Sequence, residues 1–414
     1  MKKVTAVGAV ALLLVLGSAA GYVLYKWHEG RNIHGSSTQE FVTTPIQPRQ
    51  KPAGVVWPMY GYDGKRVRAV SGFGVKPPFR ELWRFRAKAL LEFPPAVAYG
   101  RLFVANNPGV LYALDAGSGR VRWRYDARRC TAASPAVAKR TVYETFLNRP
   151  PCNAEGSDLD GQIVALDTST GKVRWRRTIG PSESSPLVAR GAVYVGDWRG
   201  KVYAFDARTG RTLWTFSTDG KVKGGVAISG QRLYIGSYDG HVYALNALTG
   251  RLIWRASAQP RLGPTGTFYA TPAVAYDRVY IGSTDSKVYS FGASTGRLRW
   301  SYGTGGYVYS SPAVWRLRVY IGSIDGHLYC FDAATGNVRW RFEANGAISG
   351  SPTVIDGVVY FASLRGRTYA LNARTGKLLW FFRDGQYTPV VAGTKRLYLV
   401  GHTQVYAFAP KRSG

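Results

Sequence analysis

A tryptophan that keeps returning at a near-constant interval constrains this chain more than any other feature. Trp83, Trp123, Trp175, Trp214, Trp254, Trp300, Trp340 and Trp380 stand 40, 52, 39, 40, 46, 40 and 40 residues apart. Four of them close a phrase that opens Asp/Asn-Ala-x-Thr-Gly, as in DARTGRTLW at 206–214, and three more close a near variant of it. Self-similarity at a period of ~40 residues means a series of like supersecondary units, each burying its apolar face against the next.

The units are stranded. Residues 310–340, SSPAVWRLRVYIGSIDGHLYCFDAATGNVRW, hold four short runs: PAV, RVYIGS, HLYCFD and NVRW. Val, Ile, Tyr and Phe dominate them, as suits a pleated, half-buried surface. The pairs Asp325-Gly326 and Thr335-Gly336 separate the runs, glycine there allowing positive φ. No run is long enough for a helix. Four antiparallel strands repeated around an axis describe a β-propeller. Eight units carry three strands, the third ending at Asp115, Asp167, Asp206, Asn246, Gly292, Asp332, Asn372 and Ala409, but only seven continue into a tryptophan strand. The missing strand is ELWRF, 81–85, ahead of the first unit. The reading is therefore all-β, an eight-bladed propeller of four-stranded antiparallel blades, its last blade completed by the N-terminal strand so that no edge stays open. Each tryptophan is expected to dock on a neighbouring sheet.

Lys plus Arg outnumber Asp plus Glu by 55 to 24, a formal charge of +31, which favours anionic partners. Lys2 and Lys3 precede Val4–Tyr25, a stretch with no charge. As a helix it would span roughly 33 Å, enough to cross a bilayer and longer than the ~7–15 residues of a secretory core. The expected organisation is a signal anchor or transmembrane helix over 1–28, a flexible linker over 29–55 and a propeller over 56–414. This places the protein in the cytoplasmic membrane as a single-pass chain, with the propeller on the extracytoplasmic side. Ser18 and Ala20 have the spacing of a cleavage site, so a cleaved leader stays open. The expected partners are envelope proteins or an anionic envelope polymer, and the membrane through the N-terminal helix. Nucleic acid is not expected, because no reading motif is present.

The phrase Ala-Leu-Asp-Ala-x-Thr-Gly, preceded by VYIGS-x-DG and followed by the tryptophan, resembles the repeat of PQQ-type, quinoprotein-like propellers. It lacks the Trp-Asp endings of the WD40 class. WPMYGYDGKR, 57–66, is similar to that family's opening segment, and the resemblance covers roughly residues 57–409. The resemblance implies one of two roles. Quinone-dependent alcohol dehydrogenases hold PQQ with Ca²⁺, use carboxylate and amide ligands with an Asp base, and place a disulfide of adjacent cysteines against the cofactor. BamB-like scaffolds share the propeller without catalysis, and related repeat proteins sit behind an N-terminal anchor. The chain departs from the first pattern because Cys130, Cys152 and Cys330 are not adjacent, and from the second because no cysteine precedes Cys130 to carry a lipid. The reading is a non-catalytic interaction platform with no cofactor. A PQQ- and calcium-dependent oxidoreductase is the alternative, and a glycan or small-molecule receptor is a second.

No other chemistry has a motif here. The five histidines show no metal-ligand spacing, and His241 and His327 follow Asp-Gly turns. EGSDLDG, 155–161, lacks the glutamate that would close a calcium loop. Cys130 opens the first strand of unit 2, and Cys152 lies in the insertion after its second strand, so the hairpin can bring them together as a disulfide. Cys330 stands at a small core position. Aligning the starts of the innermost strands puts Glu92, Glu183, Lys223, Tyr269, Tyr309 and Tyr387 in one ring at the funnel mouth. They differ in charge where bare repetition would make them alike, which marks a ligand pocket. The insertions at 146–159 and 257–268 fall on the same face, and function collects on such loops. The arginines of RVRWRYDARR (120–129) and KVRWRRT (172–178) lie on outermost strands, where charge blocks edge pairing or attracts anionic polymers.

Overall fold

The computed structural model describes residues 15–23, 30–43, 53–152, 159–259, 265–387 and 390–411. Eight antiparallel sheets follow one another along the chain. Blade 4 shows the plan: an innermost strand Ala227–Ser229, then Arg232–Gly236, His241–Asn246 and an outermost strand Leu252–Ser257, each paired with the next. The eighth blade consists of Val390–Gly393, Arg396–Val400 and Gln404–Pro410, with Phe79–Arg86 antiparallel to the last of these. The chain ends therefore meet in one sheet, as the strand count requires.

The recurring phrase builds the joint between blades. In the turn at 206–210, Asp206 Oδ1 accepts the N–H groups of Arg208 and Thr209 and the Thr209 hydroxyl. This local capture is why Asp and Asn suit the position. Gly210 then turns with φ +71°, and a Cβ there would lie 2.6 Å from Trp175 of blade 3's neighbour, blade 2. Trp175 Nε1 and the Tyr143 hydroxyl both donate to Ala207 O, at 3.0 and 2.9 Å. The same double lock joins Tyr194 and Trp214 to Ala247 O, Tyr234 and Trp254 to Ala293 O, Tyr280 and Trp300 to Ala333 O, and Tyr320 and Trp340 to Ala373 O. Trp123 reaches Thr168 O. At the closing joint, Tyr398 donates to Ala116 O while Trp83 lies under Gly119. Trp380 differs: it packs within blades 7 and 8 against Phe79, Phe382 and Phe408.

The N-terminal expectation needs correction. Among the described residues, helix covers only 15–23, and no helix is long and apolar enough to cross a membrane. At 1.5 Å per residue that helix spans roughly 13 Å, under half of a ~30 Å hydrocarbon layer. The transmembrane helix, the signal anchor and the single-pass cytoplasmic-membrane location are accordingly not supported; the rest of Val4–Tyr25 lies outside the described residues. Part of the supposed linker is also docked. Ile33 and Ser301 exchange backbone hydrogen bonds, adding to the outer edge of blade 5, and Arg278 Nε donates to Glu40 O at 2.7 Å. Glu40 pairs with Arg299.

Residues 54–70, which do not repeat, occupy the axis. Val55–Trp57 pairs with the innermost strand of blade 1, and Ala69–Val70 runs parallel to that of blade 7. Between them, Pro58, Gly64, Lys65 and Val67 offer carbonyls to Val137, Ile228, Val274 and Val314, the innermost strands of blades 2, 4, 5 and 6. These strand edges face the channel and would otherwise leave buried N–H groups unpaired. The segment is thus a plug that the sheet edges hold.

Candidate functional site: a pocket at the funnel mouth

Most innermost strands begin with a phrase such as Ser-Ser-Pro, and the fold explains why. Ser311 Oγ accepts the N–H of Thr271, Thr271 Oγ1 that of Gly225, Ser351 Oγ that of Ser311, and Ser185 Oγ that of Ser134, at 2.8–3.0 Å. The hydroxyls form a partial girdle that ties blade 2 to blade 3 and blades 4 to 7 to one another around the channel. Tyr60 of the plug rises to it, its hydroxyl within 3.0 Å of Ser351 Oγ and 3.3 Å of Ser311 Oγ. Arg66 locks the plug from beneath, donating to the carbonyls of Tyr60, Val226, Ser185 and Pro186. The Arg68 guanidinium stacks 3.7 Å from the Tyr60 ring.

Above this floor lies a cavity of about 350 Å³. The six ring residues read from the strand starts, Glu92, Glu183, Lys223, Tyr269, Tyr309 and Tyr387, all line it, and blades 2 and 7 complete the ring with Ala132 and Ser349. Sequence alignment alone missed the floor: Tyr60 lies outside the repeat, and only its place in the opening segment WPMYGYDGKR marks it. The hydroxyl girdle below the ring was also missed, although Ser-Ser-Pro, Ala-Thr-Pro and Gly-Ser-Pro at one register carry its signal.

The electrostatics of the ring are uneven. Glu183 accepts from Lys223 Nζ and from the Tyr269 hydroxyl, both at 3.3 Å. Burial raises the Glu183 carboxyl above its ordinary value, with Lys223 opposing the shift. Burial, and then the charge of Glu183, push Glu92 up to about 7. Lys223 lies 4.3 Å over the Trp198 ring and 5.6 Å from that of Tyr238, so a cation is held against aromatic faces. Two carboxylates thus share one cavity with a single lysine. Among the described residues no three His, Cys, Asp or Glu side chains cluster as a metal cage.

The other candidates sort themselves. Cys130 and Cys152 form a disulfide, Cα–Cα 5.4 Å, packed with Phe93, Ala132 and Trp198 behind the pocket wall. Arg129 clamps the far end of the insertion through Asp160, Nη2 to Oδ2 2.8 Å; residues 153–158 and 260–264 lie outside the described residues. Cys330 is buried in a blade core, its thiol pushed up to about 12 by burial. His241 and His327 rest beside Asp239 and Asp325 of their own turns, 3.3 and 3.4 Å away. Several rim arginines fold back on their own turn aspartates, Arg122 on Asp115 and Arg174 on Asp167, at 2.7 and 2.6 Å.

Similarity searches converge on this architecture. The dehydrogenase subunit of a quinone alcohol dehydrogenase from Gluconacetobacter polyoxogenes is 32% identical over 149 residues, covering 31% of this chain and 20% of the relative. The chain thus spans about a fifth of that relative's length. In fold it resembles BamB from Moraxella catarrhalis (TM-score 0.65, 19% identity, 82% of this chain and 99% of that one). A europium-containing methanol dehydrogenase aligns with TM-score 0.71, 15% identity, and 87% and 98% coverage. The family model described as "Outer membrane protein assembly factor BamB" matches residues 76–149, 156–216, 198–312 and 305–413, so the chain belongs to that family of PQQ-type propellers.

Proposed function

We propose that the funnel pocket binds a flat, oxygen-rich quinone of the PQQ type together with a divalent cation, and that the chain oxidises an alcohol there. One observation carries the reading. Glu92 and Glu183 line one cavity, Glu183 paired with Lys223, and two hard carboxylates beside tyrosine and serine hydroxyls form a donor set a divalent cation would neutralise. The cavity is of the size ordinary for a small cofactor. The donor set fits the group: Glu92 and Glu183 would hold the cation, while Lys223 and the ring tyrosines would meet the quinone's polar edge. The family's adjacent cysteines have no counterpart, so no thiol contact is assigned.

A quinone held there supplies a two-electron acceptor. This chain's own groups do the rest. Burial and the neighbouring Glu183 charge push the Glu92 carboxyl up to about 7, so Glu92 is the group whose ionised form a bound cation would favour most. Lys223 orients Glu183 and offsets its charge. Tyr60 and the hydroxyl girdle form the floor of the cavity.

The names of the relatives support this reading only as far as their coverage reaches. The test is titration of the purified chain with PQQ, with and without Ca²⁺, followed by absorbance and by dye-linked alcohol oxidation. Calcium-dependent binding that Glu183→Gln weakens is the expected result. Absence of both binding and turnover refutes the proposal. A second reading, a non-catalytic platform for a partner protein or an anionic polymer, is favoured by the BamB structure, whose length this chain covers almost entirely. Cross-linking that captures a partner through the insertion-bearing face of a chain inert to PQQ would select it.

A further inference from the structure

We infer that the funnel carries an aromatic track for a neutral, polyhydroxylated chain, an oligosaccharide, running from the rim into the pocket. The inference rests on the funnel being a ligand site, and not on the quinone. Tyr307 stands at the rim with 51% of its surface exposed. From it the rings continue inward: Tyr307 to Tyr309 6.0 Å, Tyr309 to Tyr269 5.5 Å, Tyr269 to Tyr238 6.4 Å. Lys223, between Tyr238 and Trp198, extends the arc to a fifth ring. The three ring-to-ring steps are each on the scale of one pyranose residue.

The scaffold does not demand these rings. At the register of Tyr269 and Tyr309, blades 2 and 7 manage with Ala132 and Ser349. At the register of Trp198 and Tyr238, blades 5, 6 and 7 carry Thr284, Ile324 and Leu364. The inter-blade locks use other tyrosines and tryptophans altogether. The rings of this arc lie on four successive blades, 3 to 6, while Tyr387 of blade 8 lines the mouth outside it.

Their surroundings set the ligand class. Aromatic faces take up the C–H faces of sugars, and their polar tips stay available for hydrogen bonding. Glu183, Glu92, Lys223 and the phenolic hydroxyls supply the donors and acceptors that sugar hydroxyls require, with charge-assisted bonds to the carboxylates. A polyanion fits poorly, since two carboxylates face the same space and the one lysine is already paired at 3.3 Å. Rim arginines such as Arg122 and Arg174 pair with Asp115 and Asp167, away from the pocket lining.

The test is calorimetry and saturation-transfer NMR on the full chain, without quinone, using malto-, cello- and chitohexaose, with an oligogalacturonide as the acidic counterpart. At least one neutral hexasaccharide should bind and the acidic one should not. Tyr307→Ala together with Tyr309→Ala should weaken binding about tenfold or more, some 1.4 kcal/mol per decade, while Tyr307→Phe retains it. Tyr307 is exposed, so an unchanged melting temperature separates lost binding from lost folding. No binding by any neutral hexasaccharide, preference for the acidic one, or affinity indifferent to the double substitution overturns the inference. A chain that binds sugar but not PQQ keeps the track and loses the quinone; the converse result does the reverse.

Discussion

Substituting alanine for Gly250 tests how the blades are joined. Gly250 turns with φ +72°, and a Cβ at that position would lie 2.7 Å from Cδ2 and Cε3 of Trp214 on the preceding blade. Two penalties follow. A side chain in the left-handed region costs about 1–2 kcal/mol, and forcing an atom into a packed joint about 1–3 kcal/mol more. Gly230 separates them, because it has φ +58° and nothing within 4 Å of its Cβ direction. Gly230→Ala should therefore lose only the backbone share, and Gly250→Ala should exceed it by the steric share, giving a total of about 2–5 kcal/mol. Equilibrium unfolding in guanidinium chloride reads both. In a Trp214→Ala background the steric share should vanish, so the double-mutant cycle should show a coupling of about 1 kcal/mol or more. If Gly250→Ala proves no worse than Gly230→Ala, or the cycle is additive, the glycine–tryptophan interlock is not what joins the blades.

Three further outcomes follow from the same geometry. Cys130→Ser should lower stability by about 2–4 kcal/mol, the usual worth of a disulfide closing a loop of this kind, and should expose residues 147–160 to limited proteolysis. Folded Glu92 keeps its proton up to about pH 7, while the unfolded chain releases it near 4.5. The folded state therefore binds the extra proton between those values, so this group's contribution falls as pH rises across the window. Melting temperature against pH should show that slope in the native chain and a flatter one in Glu92→Gln. Ser311→Ala removes the acceptor of the Thr271 N–H, 3.0 Å away, and should cost about 1–3 kcal/mol in a denaturant titration.

The blade number was legible because its signal is local and repeated. Asp206, Thr209 and Gly210 form their turn from neighbours in the chain, and seven copies of that turn plus ELWRF count the blades before any tertiary contact is known. The ring at the mouth was legible for the same reason. The innermost strands start at one register of the repeat, marked in most units by a Ser/Thr-Pro phrase, so register alone placed Glu92, Glu183 and Lys223 at one level. What register could not supply was distance: that Lys223 settles on Trp198 and Glu183, leaving Glu92 to face Glu183's charge, depends on how far the eight strands converge.

The remainder was decided in three dimensions. Tyr60 and Arg66 sit in a segment with no repeat, and they acquire a role only because eight strand edges converge on the axis with N–H groups to satisfy. Ile33 and Glu40 read as tether by composition, yet the outer edge of blade 5 and the side chains of Arg278 and Arg299 hold them. Val4–Tyr25 has the hydropathy of a span, whereas the described helix covers only 15–23. Periodicity reports interactions that recur along the chain. The plug, the docked strap and the pocket depend on contacts made once, between residues far apart in sequence, and these appear only when the sheet closes into a ring.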